Sequence, residues 1–267
     1  MRSWPIKPPP ARPINRAHPQ ACGLVGLYAL NESGGAVARD LSGFRNDGAL
    51  TNGPSWVAGL RGASLNFDGS DDYINVPASA SLSAFPNGIT ISAWIKPRSV
   101  PGGFPAIVEK TDDYTSNRVH FMISSDQNDR LHWGFGSAFN TPTGASHGIT
   151  LGEWQHVAVS YDLANVRVFR NGALKETTAT TVAVPNTANP LRIGTRSPSP
   201  GPGNYFDGAI DDVRVYNRAL TAAEIVRLYV DPLGVFMPPI IPGRRPGSSR
   251  LVYPGGALPG PSLVRAA

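Results

Sequence analysis

The tightest constraint in this chain is the run Ile89-Thr90-Ile91-Ser92-Ala93-Trp94-Ile95, in which Ile89, Ile91, Ala93 and Ile95 alternate with Thr90, Ser92 and Trp94. A two-residue period sends successive side chains to opposite faces, so this is a sheet strand with two differently packed sides. Similar short runs follow at Ala106–Lys110, Val119–Ser124, Arg130–Phe135, Trp154–Tyr161, Asn165–Arg170, Leu174–Thr178, Leu191–Thr195 and Phe206–Tyr216. Leu24–Leu30, Ser64–Phe67 and Tyr73–Val76 precede it. Glycine and asparagine turns separate the runs, and Asn171-Gly172 is a strong hairpin signal. Many short strands without recurrent helices argue for a sandwich rather than an α/β fold. The one helical passage is Thr221–Tyr229, where Thr221 and Glu224 fit a capping box and Leu220, Ile225 and Leu228 can close the core.

The ends of the chain differ from this middle. Of the 26 prolines, 14 lie in residues 1–22 and 232–267. Those two stretches also carry eight of the 24 basic residues and none of the 19 acidic ones, so the sequence pI of 9.6 belongs to the ends. The pattern predicts a domain over 23–231 flanked by extended, basic, proline-rich arms at 1–22 and 232–267. Trp4, Phe236, Met237 and Tyr253 can be buried against a partner, with Arg12, Arg16, Arg244 and Arg245 supplying charge. The positive groups are sparse and proline-spaced, which does not favour nucleic acid. Cys22 is the only cysteine, so no intramolecular disulfide is available. The opening lacks the apolar segment of a signal peptide, and no apolar run is long enough to cross a membrane. The expectation is synthesis in a cytoplasm without a signal peptide, then incorporation in a virion or other particle.

Six segments in order resemble the laminin-G-like, concanavalin A-like lectin/glucanase superfamily. They are Gly23–Tyr28, the loop from Asp40 to Gly48, Leu65–Tyr73, Ile91–Pro97, Trp154–Tyr161 and Phe206–Leu220. The resemblance implies an all-β, two-sheet antiparallel jelly-roll sandwich with a short C-terminal helix. Its implied use is recognition of carbohydrate, of a protein surface or of neighbours in a particle. The opening Trp4–Pro10 with His18-Pro19 also resembles laminin-G-like proteins of phage-type gene sets. In the family pattern, the Asp40, Asn46, Asp47 and Gly48 loop and the acid at Asp211 come together around a structural calcium ion. Calcium takes six to eight oxygens, carbonyls included. The alternative is plain turn chemistry at the loop, with Asp211 paired to Arg214 or accepting backbone N–H bonds. Asp68, Asp71 and Asp72 read chiefly as a strand terminus.

A glycosidase needs two positioned carboxylates. Glu32, Glu109, Glu153, Glu176 and Glu224 are scattered singly, and the neighbours in Asp112-Asp113 and Asp211-Asp212 should point to opposite faces. His156 is expected to make a satisfied hydrogen bond at a sheet edge, and its neighbours Ser160 and Asp162 cannot form a relay with it on consecutive strand positions. The chain therefore reads as non-catalytic. Trp94, Trp154 and Phe169 are expected in the core. Tyr114, Asn117, Arg130 and Trp133 form the candidate ligand site, an aromatic platform beside polar groups. The preferred function is a structural or recognition component of a phage-like particle or homo-oligomer, contacting protein subunits. A free carbohydrate-binding lectin is the first alternative and a glycoside hydrolase the second.

Overall fold

The alternating run lies at the middle of an eight-stranded sheet, and both of its faces are covered. This is seen in a computed structural model that describes residues 6–9, 12–100, 103–111, 118–123, 130–139, 147–196 and 204–237. The chain divides after Met237, and residues 238–267 lie outside the described residues. The strands are β1 (Leu24–Tyr28), β2 (Val37–Ala38), β3 (Gly48–Thr51), β4 (Ser55–Gly59), β5 (Gly62–Asp68) and β6 (Tyr73–Val76). They continue with β7 (Ile89–Ser99), β8 (Ala106–Thr111), β9 (Arg118–Ile123), β10 (Leu131–Gly136) and β11 (Ala138–Phe139). The last are β12 (Gln155–Tyr161), β13 (Asn165–Arg170), β14 (Ala173–Ala179), β15 (Leu191–Ile193) and β16 (Asp207–Tyr216), followed by helix α1 (Ala222–Val230).

Every pairing between these strands is antiparallel, as the jelly-roll expectation requires. The first sheet runs β14-β13-β12-β7-β16-β5-β4, with β1 also on β16; the second runs β11-β10-β9-β8-β15-β6-β3-β2. Their inner faces share one apolar core containing Ile89, Ile91, Ala93 and Ile95 from β7, Val157 and Val159 from β12, and Phe121, Trp133 and Phe135 from the second sheet. The Asn171-Gly172 hairpin forms as expected, with φ of 50° and 77° at the two positions. Helix α1 starts with both bonds of the Thr221–Glu224 capping box in place.

A second apolar layer lies on the outer side of the first sheet. Ala158, Phe169 and Tyr216 from the sheet meet Ile225 and Leu228 of α1, Ile14 and Ala21 before β1, and Leu233, Val235 and Phe236 after α1. The domain limits of 23 and 231 are therefore too tight. Residues 12–22 and 232–237 belong to the body, because burying their apolar side chains offsets the loss of chain freedom. Gln20 ties the two together: its Nε2 donates to Asp231 O at 2.8 Å, and its Oε1 accepts from Val235 N–H at 3.0 Å. Trp94 and Phe169, placed in the core by sequence, are buried in this outer layer.

Candidate functional site

Of the expected ligand residues, the two described ones, Arg130 and Trp133, do not form an exposed aromatic platform. Trp133 is 1% exposed, packs in the sandwich core and donates from Nε1 to Glu176 Oε1 at 3.2 Å. The phase of β10 decides this: Leu131, Trp133 and Phe135 face inward, which turns His132 outward. Arg130 is half-buried just before the strand, and Tyr114 and Asn117 lie outside the described residues. His147 is buried and bridges the sheets. Its Nδ1 accepts from Leu131 N–H at 2.7 Å, so Nε2 carries the proton toward Glu176 Oε2 at 3.0 Å. Burial alone would raise the Glu176 carboxyl, but bonds from His147, Thr178 and Trp133 pull it down to about 2.

The outer face of the second sheet is what these inward side chains leave behind. One rung of paired positions crosses it from Asn75 on β6 through Arg192 on β15 to Glu109 on β8. The Arg192 guanidinium lies over the Tyr73 ring, 5.1 Å from its centroid, a cation–π arrangement. Its Nε is buried without an acceptor among the described residues. Glu109 is fully buried, with its carboxylate 3.9 Å from Arg196 Nε. Arg196 in turn covers the Phe104 ring at 5.6 Å and donates to Asn204 Oδ1 at 3.1 Å, while His132 packs against Phe104 at 5.3 Å. Burial and the nearby Tyr73 and Asp71 raise the Tyr205 hydroxyl, with Arg192 opposing. Half-buried rings beside guanidinium, amide and carboxylate groups suit a hydroxyl-rich ligand, whose C–H faces stack while its hydroxyls bond. The signal in the sequence was the polar half of the alternation in Tyr73–Val76 and Leu191–Ile193, which core-seeking reasoning passes over.

Two other concavities were candidates. One of about 220 Å³ is lined by Pro19, Gln20, Tyr216 and Leu220, but its Arg218 and Glu224 are already paired at 2.6 Å. Trp154, expected in the core, is half-buried and lines a groove of about 350 Å³ with Asn66, Lys96 and Arg98.

The residues expected around calcium are filled by protein donors. Asp40 accepts from Leu27, Ser42 and Asn46 N–H at 3.0, 2.8 and 2.9 Å and from Ser42 Oγ at 2.8 Å. Asp47 Oδ1 takes Asp40 N–H, Asn46 Nδ2 donates to Val25 O, and Gly48 packs in β3 where a Cβ would meet Ile74. The loop is turn chemistry. Asp211 pairs with the Lys7 ammonium rather than with Arg214, and its Oδ1 accepts the expected kind of backbone bond, from Asp212 N–H at 2.8 Å. Burial pushes its carboxyl up to about 7, with Lys7 pulling the other way. Asp212 takes Arg214 at 2.9 Å instead. Both carboxylates face the outer layer because β16 bulges there, with Asp212 at φ 44°, so the expected opposition of neighbours fails. These residues, so arranged, do not fit a calcium ion. Asp68, Asp71 and Asp72 bring carboxylate oxygens within 4.8 Å of one another, but as turn-formers: Asp68 Oδ1 accepts from Ser70 N–H and Asp72 Oδ2 from Asp68 N–H.

His156 also differs from expectation. It lies on β12, between β13 and β7 rather than at an edge, with its ring 5.6 Å from that of Trp94 and its Nδ1 without a partner among the described residues. Burial lowers it to about 4, against the pull of Asp212. Of the expected arm residues, Phe236 is 2% exposed in the outer layer and Met237 and Arg12 are half-buried. Arg16 is exposed and lies against Gly43. Trp4, Arg244, Arg245 and Tyr253 fall outside the described residues. Among the described residues no helix is long and apolar enough to cross a membrane.

Two antiparallel sheets packed face to face, one outer face sealed and the other polar and aromatic, define a lectin-like β-sandwich module. The chain belongs to the concanavalin A-like lectin/glucanases superfamily, whose family model matches residues 68–226. No curated protein matches the chain. Among solved structures it is similar to domain 4 of AbnA, a GH43 extracellular arabinanase from Geobacillus stearothermophilus, in complex with arabinotriose. That likeness has a TM-score of 0.61 and 22% identity over 77% of this chain and 98% of that one. The binding domain of Paraclostridial Mosquitocidal Protein 1 gives 0.63 and 18%, over 79% of this chain and 52% of that one. A Trypanosoma rangeli sialidase mutant displaying trans-sialidase activity gives 0.61 and 18%, over 85% and 36%. At these identities the likeness establishes the fold.

Proposed function

We propose that this protein is a non-catalytic carbohydrate-binding module that holds glycans on the outer face of its second sheet. The observation that carries the reading is the Arg192 guanidinium over Tyr73, with a buried Nε lacking an acceptor, beside Glu109, Arg196 and Phe104. The arabinanase domain solved with arabinotriose supports it by analogy of fold. Binding is favoured over hydrolysis because, among the described residues, Glu109 is the only carboxylate on a strand of this sheet, and hydrolysis needs two.

A second reading is a component of a phage-like particle or homo-oligomer. It is supported by the basic, proline-rich composition of residues 238–267. The described parts of both expected arms instead pack on their own body, which supports the glycan reading over this one.

Glycan-array screening followed by calorimetry tests the proposal. Tyr73→Ala should weaken binding to the best glycan at least about tenfold, roughly 1.4 kcal/mol, while the protein stays folded. Absence of binding to any glycan, or loss of binding in Trp154→Ala with Tyr73→Ala unaffected, would remove this face as the site.

A further inference from the structure

The family likeness implies a metal near Asp211, yet the side chain found there is a lysine from the other end of the chain. Lys7 and Asp211 are 204 positions apart, and their side chains are 2% and 3% exposed. The Lys7 ammonium donates to Asp211 Oδ1, to Ala63 O at 2.5 Å and to Leu30 O at 3.5 Å. Three oxygens thus meet a group with three N–H donors, a match in number that a calcium ion seeking six to eight oxygens does not find. The free space beside it is about 10 Å³, the least that a single water occupies. Charge is balanced as well: Lys7 and Arg214 face Asp211 and Asp212. A divalent ion added to this buried set would leave an uncompensated charge of two, which a low-dielectric interior opposes.

We propose that Lys7 is this chain's own resident cation, a tethered ammonium that clamps the N-terminal segment to β16 in place of a bound metal. Neighbouring bonds hold the segment in register. Lys7 N–H donates to Arg61 O at 2.8 Å, and Asn31 Nδ2 donates to Pro8 O at 2.8 Å. Only a long, flexible side chain can reach from this backbone path to the bulge, and only a cation can rest there opposite Asp211. The clamp therefore joins the start of the body to its last strand without depending on the ions in solution. This proposal is independent of the glycan reading.

The test is thermal melting of the full chain with and without a chelator and with added calcium chloride. The wild-type midpoint should not move in either condition. Lys7→Met leaves a buried carboxylate unpaired and should lower the midpoint by about 10 °C. The double variant Lys7→Met/Asp211→Asn removes both charges and should recover part of that loss. If Lys7→Met does not fold, the double variant should still yield folded protein, since the unpaired charge is gone. A wild-type midpoint that falls with chelator and returns with calcium would overturn the proposal. So would Lys7→Met melting like wild type, or a double variant no more stable than Lys7→Met.

Discussion

The outer faces of the two sheets begin from the same rule and end in opposite states. On the first sheet, the second set of alternating side chains is roofed by α1, residues 12–22 and the turn at Gly234–Phe236. Trp94 there stacks on Tyr229 of the helix at 5.7 Å, and Thr90 Oγ1 takes Leu220 N–H at 2.8 Å. On the second sheet, Tyr73, Asn75 and Arg192 remain half-buried, while Glu109 and His132 on the same face are buried. The difference is one of composition. The first face offers Ala158, Phe169 and Tyr216, surface that is stabilised by leaving water, whereas the second offers groups that hydrogen-bond best with something polar.

The contrast can be broken most forcefully on the covered side. Phe236→Ala should destabilise the protein by about 3–5 kcal/mol in a denaturant titration, as a buried aromatic does. A change under about 1 kcal/mol would return residues 232–237 to the status of a loose arm. Next is His156, beneath the same roof. Its folded value, lowered by burial to about 4, lies below its ordinary 6.5. Between those values the unfolded chain binds a proton that the folded chain does not. Stability should therefore drop as pH falls from about 6.5 to about 4, by on the order of 3 kcal/mol. His156→Gln should flatten that slope; an unchanged slope would assign it to other groups. The smallest effect belongs to the open face, where Arg192→Ala should leave unfolding free energy within about 0.5 kcal/mol while weakening glycan binding. A large stability loss there would mean that the open face is structural as well.

Much of this architecture is legible in the sequence where one period governs many residues. Ile89–Ile95, Asn165–Arg170 and the Thr221–Glu224 cap all form where their pattern places them. What escapes is decided by phase, by length or by distant partners. Trp133 and His132 are adjacent, and a one-residue choice of face exchanges a core side chain for a surface one. Val37–Ala38 and Gly48–Thr51 are too short to carry a period, and Ser55–Gly59 is largely exposed on β4. The bulge at Asp211–Asp212 breaks alternation where no glycine or proline marks it. Lys7 has no local signal, because its meaning comes from a carboxylate at the far end of the chain.

The roof also fixes an orientation. Lys7 and Phe236 both sit on the outer side of the first sheet, and the full thickness of the sandwich separates them from Tyr73 and Arg192. The described segment at residues 6–9 therefore lies at the back of the molecule. A partner that held this segment would leave Tyr73 and Arg192, on the opposite side, uncovered by it.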